Sequence, residues 1–168
     1  MKKVQLTIVG KVFKPNKRKV LALNRCFEEY LKLVGWYLSF NSTSKTFLHK
    51  NCYTDAKRRF KLNTALIQTA RDKAVEILRS FNENKRKARV KSKRPKLNRV
   101  SIRFDKRCYS FVKTTNKLTP YWLTLGLNRK ERVTLPIKFG ERQQRFIEEV
   151  LQGEWQFCTV EMVKQNGE

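Results

Sequence analysis

Residues 100–139 read VSIRFDKRCYSFVKTTNKLTPYWLTLGLNRKERVTLPIKF, and apolar side chains recur there at every second position in four separate runs. The runs are Val100, Ile102 and Phe104; Tyr109 and Phe111; Leu123, Leu125 and Leu127; and Val133, Leu135, Ile137 and Phe139. A period of two places each set on one face of a strand, and the polar stretches between them are turns. The segment is a meander of short strands.

Downstream, Glu141 to Leu151 presents Phe146, Ile147, Val150 and Leu151 with helical spacing, which predicts a helix. Trp155, Phe157, Val160 and Met162 mark a last strand, with a phase change near Cys158 that suggests a bulge. Upstream lies a different pattern. Leu66, Ala70, Ala74, Ile77, Leu78 and Phe81 form an apolar stripe on a predicted helix from about Asn63 to Arg86. Leu23, Phe27, Tyr30, Val34 and Tyr37 form another, on a helix of roughly twenty residues that begins near Val20. The two stripes are expected to pack on each other. Between them, 41–50 is polar and rich in Ser and Thr, and Tyr53 to Arg59 is a short connecting stretch.

At the start of the chain Val4, Leu6 and Ile8 alternate with polar residues toward Val12 and Phe13, until Pro15 and Asn16 break the pattern. That is a first strand. Strand, long helical excursion, then meander is the order expected of a small barrel of about six strands with a domain inserted after strand one. The fold class is therefore α+β. The expected parts are a first barrel strand (1–18), an inserted helical domain with a basic arm (19–97), and the rest of the barrel with one helix (98–168).

Composition limits the function. The chain has 39 Lys and Arg against 14 Asp and Glu, a formal charge of +25. Self-repulsion of that size becomes binding energy only against a polyanion. The longest apolar stretch, near Leu31 to Leu38, is broken by Lys32 and Gly35, so neither a membrane span nor a signal peptide is expected. Cys26, Cys52, Cys108 and Cys158 lie far apart with no CxxC pair. This spacing argues against a zinc ribbon or a disulfide framework and suits thiols in a reducing cytoplasm.

Catalysis is poorly supplied. His49 is the single histidine, flanked by polar and basic residues, and the six glycines form no phosphate loop. Metal-dependent nucleases need converging carboxylates. Here Glu28 and Glu29, Asp72 and Glu76, and Glu148 and Glu149 each have basic neighbours at helical spacing, and read as surface ion-pair partners. No catalytic residue, metal ligand or cofactor is assigned.

Binding chemistry is far richer. Lys85 to Arg99 holds nine basic residues in fifteen and no acid: Lys85, Arg86, Lys87, Arg89, Lys91, Lys93, Arg94, Lys96 and Arg99. Pro95 ends any helix there. In the strand that follows, Arg99, Ser101 and Arg103 alternate with core residues, which aims Arg103 from a rigid surface and suggests a groove tracking a nucleic-acid backbone. A solvated charge run is the plainer alternative.

Three stretches carry a resemblance: LNTALIQTARDKAVEILRSF at 62–81, RVSIRFD at 99–105 and TLPIKFGERQQRFIEEVLQGEW at 134–155. Each is degenerate alone, but in this order the chain resembles the N-terminal recognition half of TnpB-type, transposon-encoded RNA-guided DNA endonucleases and compact type V CRISPR effectors. The resemblance implies a wedge-type, oligonucleotide-binding-like barrel with a helical recognition insertion. It also implies a structured guide RNA and a double-stranded DNA target as partners, in a prokaryotic cytoplasm.

The catalytic RuvC acids and zinc cysteines of that family are absent from this sequence, so binding without cleavage is expected. The chain stops about where the family would enter its next strand and first catalytic Asp, which suggests a fragment rather than a truncated product or split subunit. A separate RuvC nuclease portion would then be a further partner.

By position, the family's reading of a short duplex motif falls on Tyr53, Lys61, Asn63, Thr64 and Gln68, and on the turn at Phe104, Asp105 and Lys106. Amide forks at Gln68 and Asn63 suit an adenine edge; the plainer roles are a helix cap for Asn63 and solvent exposure for Gln68. Two rivals stand beside this reading. One is a general basic RNA-binding protein, and the other a protein-binding inhibitor or assembly factor.

Overall fold

The computed structural model describes residues 5–97 and 100–164. Among them are four helices and six strands, the strands arranged in two antiparallel sheets. The fold is mixed α+β.

Helix α1 (Lys17–Ser39) starts where Asn16 accepts a hydrogen bond from the Lys19 N–H at 2.9 Å. The expected stripe is the one it buries, with Leu23, Tyr30, Val34 and Tyr37 inside and Phe27 half-buried. Helix α2 (Lys45–Arg59) corrects the expectation of a polar loop followed by a short stretch. Ser44 caps it, accepting from the Phe47 N–H at 3.2 Å, and Leu48, Cys52 and Ala56 at successive fourth positions form its buried line. Helix α3 (Thr64–Arg86) follows the expected bounds, and its stripe packs against α1 as the periodicity predicted.

Strands β1 (Lys11–Val12), β5 (Arg132–Lys138), β4 (Tyr121–Gly126) and β3 (Tyr109–Lys113) are neighbours in that order in one sheet. Strands β2 (Ile102–Asp105) and β6 (Thr159–Met162) form the second. All four runs form strands, but only β3, β4 and β5 pair consecutively as a meander; β2 departs from it and pairs with β6 in the second sheet. Helix α4 (Glu141–Leu151) has the expected limits but buries only Ile147 fully.

Two strands are shorter than their patterns. Expected alternation began at Val4, which lies outside the described residues; Leu6 and Val9 are 49% and 66% exposed, and only Lys11 and Val12 pair. Pro136 limits the ladder at its C-terminal end, beyond Val12. Its carbonyl accepts the Phe13 N–H at 2.9 Å, but a proline has no N–H to return to that strand, so the ladder cannot continue. At the other end a Cβ on Gly10 would come within 2.5 Å of the Phe139 ring, so glycine is required for the chain to enter beside β5. The last strand begins only at Thr159, and residues 155–158 join no ladder, which replaces the suggested bulge at Cys158.

The helices and the sheets share one core. Leu33, Leu48, Leu66 and Ile67 belong to the same apolar cluster as Ile102, Phe104, Leu125 and Leu135. The Thr69 hydroxyl links them through polar groups, since it donates to the Arg103 carbonyl at 2.8 Å and faces the Tyr30 hydroxyl at 3.4 Å. Among the described residues no helix is long and apolar enough to cross a membrane.

Candidate nucleic-acid interface

Two cationic surfaces border α3, one at each end. At its start, Asn63 caps the helix by accepting from the Leu66 N–H at 2.8 Å. Its amide NH2 donates to the Gly126 carbonyl, and its backbone N–H donates to the Leu127 carbonyl at 3.2 Å. The end of β4 therefore fastens the first turn of α3, and both arms of the Asn63 fork are occupied within the chain. Asn63 is a cap here, and base reading by it would require unfastening the helix.

One turn later Gln68 is half-buried, and its Oε1 accepts a hydrogen bond from Arg107 Nη2 at 2.9 Å. Arg107 sits in the turn between β2 and β3. Asp105 accepts from the Arg107 backbone N–H at 2.9 Å and grips its side chain, with Nε at 3.0 Å and Nη2 at 2.5 Å from Oδ2. Burial works against a charge on Asp105, but these bonds outweigh it and hold the carboxyl below its ordinary range. Arg107 is 61% exposed, and Nη1 takes no hydrogen-bond partner among the described residues.

The expected motif-reading residues are therefore only partly assembled. Gln68 and Asp105 meet on Arg107, while Tyr53 is half-buried on α2 with its ring beside that of His49. Lys61 and Lys106 are exposed, with the Lys61 backbone N–H tied to Glu29 at 3.0 Å; Thr64 is half-buried in the first turn of α3. Phe104 is 0% exposed and packs in the core, so the expectation that it touches a duplex is corrected: strand alternation turns it inward, opposite to Arg103. Arg107 itself was missed. Its signal was the Asp two residues earlier, a spacing that lets a carboxylate accept the turn's N–H.

At the other end of α3 the basic arm begins. Lys85 and Arg86 occupy the last turn, where the helix dipole favours cations. Lys87 pairs with Glu83 at 2.5 Å. Ala88 then adopts a left-handed φ of 54°, its N–H donating to the Lys85 carbonyl at 3.0 Å, while the Arg89 N–H donates to the Asn84 carbonyl at 2.9 Å. This pair of bonds is a Schellman closure, and it turns the chain back along α3. Lys91, Lys93, Arg94 and Lys96 follow, all exposed and none paired with a carboxylate among the described residues. Leu97 anchors the far end against the core. A cleft of about 790 Å³ lies between the arm and α3.

Arg103 departs from expectation. Its guanidinium is bound by Glu76 on α3, with Nη1 to Oε1 at 2.7 Å and Nη2 to Oε2 at 3.0 Å, and by Glu161 on β6, with Nε to Oε1 at 2.8 Å. Ser101 adds a hydrogen bond to Glu161 at 2.7 Å. Arg103 is an internal brace, not a free cation for phosphate. Arg99 lies outside the described residues.

Of the acids expected as ion-pair partners, Glu28 and Glu29 join no ion pair among the described residues, Glu29 instead accepting the Lys61 N–H, while the others do pair. Asp72 pairs with Arg71 and Lys45, Glu148 with Lys113, and Glu149 with Arg145. His49 lies on α2, not in a loop, exposed and with its ring 4.9 Å from that of Tyr53. Burial pushes the Cys26 thiol up to about 12 and the Cys108 thiol up to about 11, so both are held protonated. Among the described residues, no three His, Cys, Asp or Glu side chains gather as a metal site.

A family model described as Uncharacterized protein MJ0013 family matches residues 15–119. That range is well over half of the chain and contains α1, α2, α3, the basic arm and the β2–β3 turn. No curated protein matches the chain.

Proposed function

The chain belongs to the Uncharacterized protein MJ0013 family, and we propose that it binds nucleic acid: structured RNA along the basic arm, and a short DNA duplex motif at the start of α3. The observation that carries the reading is the arm. Its cations are anchored at one end by the closure of α3 and at the other by Leu97, and Lys91, Lys93, Arg94 and Lys96 have no acid to neutralise them among the described residues. Fixed, unpaired cations along a chain that reverses over a helix suit phosphates spaced along a backbone.

The duplex site rests on Arg107. A guanidinium held by a neighbouring carboxylate and an amide is pre-oriented, and with Nε and Nη2 engaged its Nη1 is left to donate to an acceptor on a base edge. Gln68 would then support Arg107 and not read adenine itself. Lys61 and Lys106 supply phosphate contacts on either side.

The finer reading follows the resemblance. The two sheets are proposed as walls of one oligonucleotide-binding-like barrel, a view supported by the short β2–β3 turn that carries the chain from one sheet to the other. The RNA is proposed to be a guide, and the chain to cut nothing by itself. Sequencing the RNA that copurifies with the protein tests this. One structured species is the expected result, whereas a broad sample of cellular RNA would favour a general RNA-binding protein. Association with another protein that survives nuclease treatment would favour an inhibitor or assembly factor.

A further inference from the structure

We propose that the cleft between α3 and the basic arm receives an unpaired RNA nucleotide, with its base against Phe81 and its flanking phosphates on Arg89, Lys91 and Lys96. This rests on the RNA-binding reading of the arm and gives it a structural preference. The cleft measures about 790 Å³, within the range of about 300–1,000 Å³ that accepts compact ligands.

Its lining is divided. Ile77, Phe81 and Pro95 supply an apolar wall, and Phe81 and Pro95 are only half-buried, so a flat surface is left without a partner. Arg89, Lys91 and Lys96 supply exposed cations. The single carboxylate in the lining, Glu76, is already bound by the fork of Arg103, which leaves the cations without a local counter-charge.

An apolar face beside unneutralised cations matches a base attached to phosphates. It does not match a duplex, whose bases are stacked on each other and closed to a side wall. An acidic peptide would satisfy the cations and leave Phe81 unused. The reversal at Ala88 is what brings the two halves together, because it returns the arm along the helix that carries Phe81.

The test uses the full chain and three probes: a single-stranded RNA carrying one 2-aminopurine, a hairpin RNA of equal length, and single-stranded DNA of the same sequence. The unmodified protein is expected to quench the 2-aminopurine of the single-stranded probe, while the hairpin binds through the phosphate contacts of the arm. Phe81→Ala should weaken that probe about tenfold, the size of one base–aromatic stack, with less than a twofold effect on the hairpin, and Phe81→Trp should restore it. Should Phe81→Ala lose its helical circular dichroism, Lys91→Glu with Lys96→Glu provides the same comparison on exposed positions. Equal losses on single-stranded and hairpin RNA overturn the cleft and leave RNA binding intact. Equal competition by the DNA overturns the assignment to RNA. Failure of the unmodified chain to bind any RNA overturns the underlying reading as well.

Discussion

Arg107 and Gln68 meet across the junction of the β2–β3 turn and α3, with the Arg107 Nη2 donating to Gln68 Oε1 at 2.9 Å. Because Asp105 holds the same guanidinium, the three side chains form one unit and their substitutions should not be equivalent. Arg107→Ala is expected to cost about 1 to 3 kcal/mol on a duplex carrying the preferred motif and much less on a scrambled one. Gln68→Ala should give a smaller loss with the same selectivity, since Arg107 would keep Asp105. Lys61→Ala should weaken both duplexes by a similar factor. Competition binding with RNA present measures all three, and equal losses on both duplexes for Arg107→Ala would remove motif reading from this surface.

Arg103 braces α3, β2 and β6 through Glu76 and Glu161, and its loss should be felt in stability. Charge-assisted hydrogen bonds contribute roughly 1.5 to 3 kcal/mol when enclosed. Glu161 is 38% exposed, so screening lowers the expectation for Arg103→Ala to about 1 to 2 kcal/mol. The pH dependence has a definite sign. Burial opposes the charge of Glu161, but Ser101, Arg103 and Lys73 together bring its carboxyl below the usual value. A depressed folded-state pKa contributes stability that is complete above the unfolded pKa and disappears as pH falls through the folded one. Denaturant titrations should therefore show Arg103→Ala losing less stability than the unmodified chain on acidification below about pH 4.5. Parallel acid curves would show that the brace does not set this dependence.

Ala88 occupies a left-handed backbone position, φ 54°, that its Cβ disfavours. Glycine relieves that crowding but gains freedom in the unfolded chain, so the two effects partly offset each other. Ala88→Gly should stabilise the protein by about 0.5 to 1 kcal/mol, or roughly 1 to 4 °C in Tm. Calorimetry checks it. A lowered Tm would mean that the reversal is not as strained as its geometry implies.

Much of this architecture can be read from the residues, and the failures share a cause. Long stripes and strict alternation identify α1, α3, α4 and the strands β2 to β5, because there a single segment carries its own periodicity; that β2 leaves the meander to pair with β6 is a long-range choice the alternation does not carry. Helix α2 escaped because its buried line is Leu48, Cys52 and Ala56, two of them small, in otherwise polar surroundings; Ser44 was its one clear mark. The first strand is shorter than its alternation because β5 meets only Lys11 and Val12, so Leu6 and Val9 alternate like strand residues yet stay exposed, while Pro136 stops the ladder beyond Phe13. The site follows the same division. The arm is visible as composition, whereas the brace on Arg103 depends on Glu76 and Glu161, which are 27 and 58 residues distant. Arg107 likewise gains its support only when the turn packs on α3.

The purified chain, incubated with magnesium or manganese, is expected to leave labelled RNA and DNA intact. The reasons are the engagement of Asp72, Glu76, Glu148, Glu149 and Glu161 with basic partners and the absence of a three-ligand metal cluster among the described residues. Cleavage abolished by substituting one of these acids would reveal an active site where surface ion pairs are read.

The arm makes the most quantitative prediction, because phosphate contacts release counterions in a countable way. Each contact should contribute about 0.7 to 0.9 log units of affinity per log unit of salt, the lower figure for single strands. With Lys91, Lys93, Arg94 and Lys96 all exposed, replacing the first three together by alanine should reduce the slope by roughly two to three log units per log unit of salt. Thermal stability should change little, since none of the three joins an ion pair among the described residues. Structured RNA titrated across a range of monovalent salt gives both slopes directly. If the unmodified chain already shows a slope worth only one or two contacts, the arm does not follow a backbone. If the triple variant loses affinity with an unchanged slope, its cations act by shaping the cleft and not by neutralising phosphate.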